Sequence, residues 1–279
     1  MYKRISKKQF YFAIFLMGVT LILALGLLVM LRHKAKETPP PRDLKQIRKE
    51  GTLKLVTEYN PIGYYVSDSN VMGFQYELIK AISQVSGIAT ETRLEMNLSK
   101  SFKMLDDETC DVIARNISIT KQNRDHYIFT DPILLNKQVL VQRNKKNNEG
   151  IEPIRNQLNL AGKTLYIPSH SPALLRLNNL QQEIGDSIHV VEDKLYSTEQ
   201  LIMMVAQKEI DFAVCNWQIA KRLQKDFPSI DLKTDISFTQ LESWAVRKTS
   251  PQLADSLNYW LNLIKDKGIY DRIYSRYYQ

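Results

Sequence analysis

At 279 residues, 44% hydrophobic and 24% charged, the chain is long enough for one large domain or two ordinary ones around a packed core. That balance excludes wholesale disorder, collagen-like repeats and a multi-span membrane protein. The formal charge of +8 is local: residues 1–45 hold nine Lys/Arg against Glu37 and Asp43, leaving +1 for residues 46–279. A near-neutral body lacks the clustered Lys/Arg of a phosphate-binding surface, so no nucleic-acid partner is expected.

From the N-terminus onward, residues 1–9 form a basic tail with Lys3, Arg4, Lys7 and Lys8. Residues 10–31 (FYFAIFLMGVTLILALGLLVML) run 22 positions without a charge, enough for a helix to span the ~30 Å hydrocarbon core of a bilayer. Signal-peptide apolar regions stop at about 7–15 residues. Here the apolar run continues past the weak small-x-small site Ala24-Leu25-Gly26, so an uncleaved anchor is expected. No lipid-accepting cysteine follows it; the cysteines are Cys110 and Cys215, too few for a disulfide framework. Arg32, Lys34 and Lys36 nearly balance the basic tail, so the positive-inside count barely orients the span. Residues 32–45 read as a basic, Pro-rich linker, and the folded body is expected to begin at residues 43–53.

The body alternates short apolar strands with helical spacing. Strands are predicted over residues 53–57, 92–96, 111–114, 138–142, 164–167, 188–191, 211–214 and 243–247. Helices are predicted over 73–84, 98–107, 172–183, 198–207 and 217–225, with one or two closing helices over 251–278. This alternation predicts an α/β fold with mostly parallel sheets. The polar, Gly/Pro-punctuated residues 144–153 are expected to form a surface loop between two halves.

The order of short motifs resembles family 3 of the bacterial solute-binding proteins. Residues 49–57 (KEGTLKLVT) resemble its opening strand, and residues 73–78 (GFQYEL) its first helix. Residues 111–114 (DVIA), 117–120 (ISIT) and 129–132 (FTDP) follow in the family's order, then 160–164 (LAGKT), 209–214 (EIDFAV) and 244–248 (WAVRK). Within the family, residues 60–65 and 138–143 look closest to the non-catalytic binding domain of membrane-bound lytic murein transglycosylases. The end at Gln279 leads to the expectation that no lysozyme-like catalytic domain follows.

The resemblance implies a two-lobed type II periplasmic-binding-protein fold with two interlobe connections, near residues 140–143 and 238–244, preceded by one transmembrane helix. Lobe 1 is expected over residues 46–140 and 241–279, lobe 2 over 141–240. An inner-membrane, single-pass protein with its body in the periplasm is implied.

Amino-acid-binding members of the family grip a zwitterion with an Arg on the carboxylate and an Asp on the ammonium. The position matching the Arg falls on Asn123, with Arg124 one residue later; the position matching the Asp falls on Asn216. With both charges replaced by amides, a neutral, sugar-like or peptide ligand suits Asn116, Ser118, Asn123 and Asn216. The resemblance puts Tyr59 where family members place an aromatic against the ligand, with Tyr64 as a helper; Ser171 precedes a helix start that faces the cleft, and Trp217 adjoins Asn216. Packing or simple capping accounts equally well for Tyr59, Ser171 and Trp217, and packing is the favoured reading of Tyr64.

No metal or cofactor motif occurs: His33, His126, His170 and His189 are scattered, and Asp106 with Asp107 reads as a solvated helix end. The expectation is a non-enzymatic sensor or delivery protein that closes on a small polar ligand (amino acid, peptide or muropeptide), with a possible envelope protein partner. Two alternatives stand beside it: an amino-acid uptake receptor in which Arg124 takes the carboxylate, and a non-binding scaffold that recruits a wall enzyme.

Overall fold

The computed structural model describes residues 7–34, 41–169 and 171–278. The basic tail up to residue 6, Pro39 and Pro40 of the linker, and His170 lie outside them. The chain divides into two units, Met1–Pro41 and Arg42–Gln279.

The first unit contains helix α1 (Lys7–Lys34). Its described side chains, at residues 8, 11–12 and 15–27, are all exposed. Thr20, the polar member of the run, turns its hydroxyl back onto the Met17 carbonyl at 2.9 Å. Among the described residues no helix is long and apolar enough to cross a membrane, so the span over residues 10–31 stays an expectation.

The second unit opens with α2 (Leu44–Glu50), β1 (Thr52–Thr57), the hairpin β2 (Tyr65–Ser67) and β3 (Asn70–Met72), and α3 (Phe74–Ser86). Then come β4 (Ala89–Leu94), α4 (Leu98–Asp106), β5 (Val112–Ser118), the single turn α5 (Lys121–Arg124), β6 (Tyr127–Phe129) and β7 (Leu134–Asn136). A second stretch holds β8 (Gln138–Arg143), β9 (Thr164–Pro168), α6 (Ala173–Ile184), β10 (His189–Asp193), α7 (Thr198–Ala206), β11 (Ala213–Asn216), α8 (Trp217–Leu223) and β12 (Ile230–Asp235). The chain returns in β13 (Gln240–Arg247), α9 (Pro251–Asp266) and α10 (Ile269–Tyr278).

Two sheets form. The first has the order β4-β1-β5-β13-β6, with β7 also on β13; the second has β10-β9-β11-β8-β12. β1 lies parallel to both β4 and β5, while β13 runs antiparallel to β5. Period-two alternation gives each sheet two buried faces. In the first, Leu53, Leu55, Val112, Ala114 and Trp244 face α3 and α9, while Val56, Ile113 and Ala245 face Leu105 of α4. In the second, Val139, Val141 and Ala213 face α7, while Leu140, Leu165 and Val214 face α6.

Local chemistry sets the ends. Asp43 caps α2 by accepting from the Leu44 N–H, and Gly51 closes it at φ 74°. Ser197 and Gln200 make a reciprocal capping box at the start of α7. Asp111, fully buried, accepts from the Arg42 and Arg247 guanidinium groups and from the Lys54 N–H, tying the unit's first residue to the sheet.

The expected α/β alternation is present, with differences. β4 ends at Leu94, two residues short of the strand expected over 92–96, because its register is fixed by Thr57 opposite Leu94. β8 lies wholly in the second sheet, paired with β11 and β12. The first crossing between sheets is therefore at residues 136–138, ahead of the expected 140–143, and the second is at 235–240. Residues 144–153 consequently hang within the second lobe and do not separate the halves. α2, the β2–β3 hairpin, β6, β7 and β12 were not anticipated; each is short or polar enough to hide its periodicity.

Candidate functional site

Between the two sheets lies a cleft of about 270 Å³. Its walls are built at the carboxyl ends of β1, β5, β9 and β11, where open α/β sheets leave their loops free to meet a ligand. Lobe 1 contributes Glu58, Tyr59, Asn60, Arg115, Asn116, Glu242 and Tyr278; lobe 2 contributes Gln138, Ser169, Ser171, Thr198, Glu199 and Asn216, among others.

The lobe 1 wall is held by buried hydrogen bonds. Trp244 Nε1 donates to Gln75 Oε1 at 2.8 Å, and Gln75 Nε2 donates to Asn116 Oδ1 at 2.6 Å. The Asn116 carbonyl is thus committed to the wall. Asn60 Oδ1 folds its own loop by accepting from the N–H groups of Ile62 and Gly63. That loop docks on α3, where the Phe74 and Gln75 N–H groups bond the Ile62 and Gly63 carbonyls. Gly73 makes the approach possible: it sits at φ 130°, and a Cβ there would stand 2.3 Å from the Gly63 oxygen.

Charge is concentrated on the same wall. Arg115 pairs with Glu58, the two side chains only 11% and 20% exposed, and also reaches the Met96 carbonyl at 3.3 Å. Among the described residues Arg115 Nε has no acceptor. Glu242, 3% exposed, accepts from Asn136 Nδ2 at 3.2 and 3.3 Å, and among the described residues no cation is paired with it. Burial pushes its carboxyl up to about 7; repulsion from Glu58 adds to this, while the Asn136 bond and Arg115 oppose it. On the opposite wall, Cys215 is buried and its thiol is pushed up to about 12.

Of the nine residues singled out from sequence, Tyr59, Asn116, Ser171 and Asn216 line the cleft. Ser171 Oγ accepts from the Ala173 N–H, and Asn216 caps α8 by accepting from the Ile219 N–H at 3.2 Å. The other five are not among the lining residues. Tyr64 packs edge-on against Tyr76. Asn123 closes a capping box with Thr120, and its Nδ2 donates to the Ser118 carbonyl; the Ser118 hydroxyl is buried without a partner among the described residues. Arg124 is exposed on α5. Trp217 packs into the lobe 2 core beneath the ammonium groups of Lys137 and Lys221.

Sequence reasoning missed Glu58, Arg115, Gln138 and Glu242. A signal existed for Glu242: it is the one acid in a strand (QLESWAVR) whose last six residues are all buried.

The geometry of two sheets, two crossings and a cleft between them agrees with a match over residues 52–279 to the model of bacterial extracellular solute-binding proteins, family 3. The chain belongs to this family. Membrane-bound lytic murein transglycosylase F of Desulfosudis oleivorans is 30% identical over 237 residues, covering 85% of this chain and 51% of the relative. The chain spans about half the length of the curated relatives it matches. Among solved structures, a mutant of ArgBP from T. maritima superposes with a TM-score of 0.70 at 21% identity, covering 84% of this chain and 97% of that one. A histidine kinase sensor domain with similarity to periplasmic binding proteins gives 0.68 at 18%, covering 81% and 95%. The family 3 chain therefore has the type II periplasmic-binding-protein-like α/β fold, as the order of its motifs implied.

Proposed function

We propose that this family 3 chain is a membrane-anchored, extracytoplasmic binding protein whose two lobes close on a small polar ligand without chemistry, to sense or deliver it. The observation that carries this reading is the cleft itself: both walls present amides and hydroxyls at the carboxyl ends of strands, and two chain crossings at residues 136–138 and 235–240 allow the lobes to hinge. The relatives named as murein transglycosylases make a cell-wall fragment a reasonable ligand. The sensor-domain likeness makes signalling a reasonable output. The run at residues 10–31 would hold the body at the outer face of the inner membrane.

The test is a thermal-shift screen of the full chain in mild detergent against free amino acids, small peptides and muropeptides. A ligand at 100 times its dissociation constant adds about 2.7 kcal/mol, a shift of several degrees. A shift with one class supports the reading and names the class. No shift with any class overturns it in favour of a scaffold with an idle cleft. Protease accessibility in spheroplasts checks the topology, and a protected body would refute it.

A further inference from the structure

The charges of the cleft favour one ligand class. Among the described residues, three carboxylates, Glu58, Glu199 and Glu242, line it against a single guanidinium, Arg115, and that guanidinium is already engaged by Glu58. Glu242 is almost fully buried, and among the described residues its hydrogen-bond donor is the neutral amide of Asn136. Arg115 offsets that burial only through space, with no ion pair to Glu242 among the described residues; a bound ammonium would supply a paired charge and its donors. A ligand carboxylate would find only Arg115, whose charge Glu58 already balances and whose Nε alone lacks an acceptor among the described residues. Asn123 and Asn216 stand where a zwitterion's partners would be expected, and both spend their side-chain oxygens on local caps. Arg124 lies outside the lining.

We propose that the cleft selects a small organic cation, a primary amine with no free carboxylate, whose ammonium sits against Glu242 with Glu58 beside it. The proposal rests on the binding reading above and sharpens it: it separates this chain from receptors built for free α-amino acids, and from acidic wall peptides. An amino sugar or a short diamine has the required chemistry. Tyr59, half exposed at the mouth, and the amides and hydroxyls of lobe 2 would then meet the uncharged part of the ligand.

The experiment uses the full chain in mild detergent and titration calorimetry with matched probes. Glucosamine is compared with N-acetylglucosamine, putrescine with 1,4-butanediol, and L-glutamate and L-alanine serve as acid and zwitterion. At least one amine is expected to bind roughly tenfold or more tighter than its uncharged counterpart, with Glu242→Gln removing that margin. Equal or tighter binding of the uncharged probes, L-alanine or L-glutamate overturns the cation inference and leaves the binding reading standing. Failure of every probe here and in the wider screen overturns both. The matched pairs need no variant, so they decide the question even if Glu242→Gln does not fold.

Discussion

Replacing Glu242 by Gln should stabilise the protein at alkaline pH, because the native carboxylate is held in an unfavourable place. In the folded chain burial raises its carboxyl from 4.5 to about 7. Between those values the unfolded chain releases the proton and the folded chain keeps it, so stability falls as pH rises through the window and stays low above it. At about 1.4 kcal/mol per pKa unit the loss is on the order of 3 kcal/mol, fully developed at pH 8 and nearly absent at pH 4.5. Gln keeps the shape, and its oxygen can still accept from Asn136 Nδ2, without the charge. For a body of this size, thermal unfolding followed by circular dichroism should show the variant melting roughly 6–12 °C higher at pH 8. At pH 4.5 the two proteins should melt together. The reasoning is refuted if the difference is the same at both pH values, or if the variant is the less stable at pH 8.

Gly73→Ala should cost more than about 2 kcal/mol in urea unfolding, since a Cβ at φ 130° would clash with the Gly63 carbonyl; a cost below 0.5 would show that the 60–63 loop moves freely. Asp111→Ala, which leaves Arg247 without a carboxylate partner among the described residues and Arg42 with Glu50 alone, should cost about 3–5 kcal/mol by the same measurement. Asn123→Ala should lose about 1 kcal/mol from the α5 capping box, whereas Arg124→Ala should change neither stability nor ligand response; loss of binding in the latter would restore the guanidinium clamp of an amino-acid receptor. Cys110 and Cys215 are both buried with thiols pushed up to about 12, so neither should react with a thiol reagent at pH 8 until the chain is unfolded.

The α/β alternation was legible because strands buried on both faces carry continuous apolar runs, as in residues 139–141 (VLV) and 212–215 (FAVC), and such runs announce themselves. The lining positions of Tyr59, Asn116, Ser171 and Asn216 were legible through the resemblance, which carried the family's motif order onto numbered positions that the structure places on the cleft. Arg124 and Asn123 misled because spacing does not say whether a side chain faces a cleft or caps its own turn. Thr120 supplies the capping partner that decides this, three residues away.

The order of motifs by itself determined the family and the two-lobed class, since both follow from which strands exist and in what sequence. Only the tertiary structure decided the rest. It put β8 in the second sheet through its pairs with β11 and β12, and so moved the hinge to residues 136–138. It also brought Glu58, Arg115 and Glu242, scattered over nearly two hundred positions, onto one wall. Local pattern cannot encode such a meeting, because the energy of a buried charge depends on which distant groups surround it and on how much water they exclude.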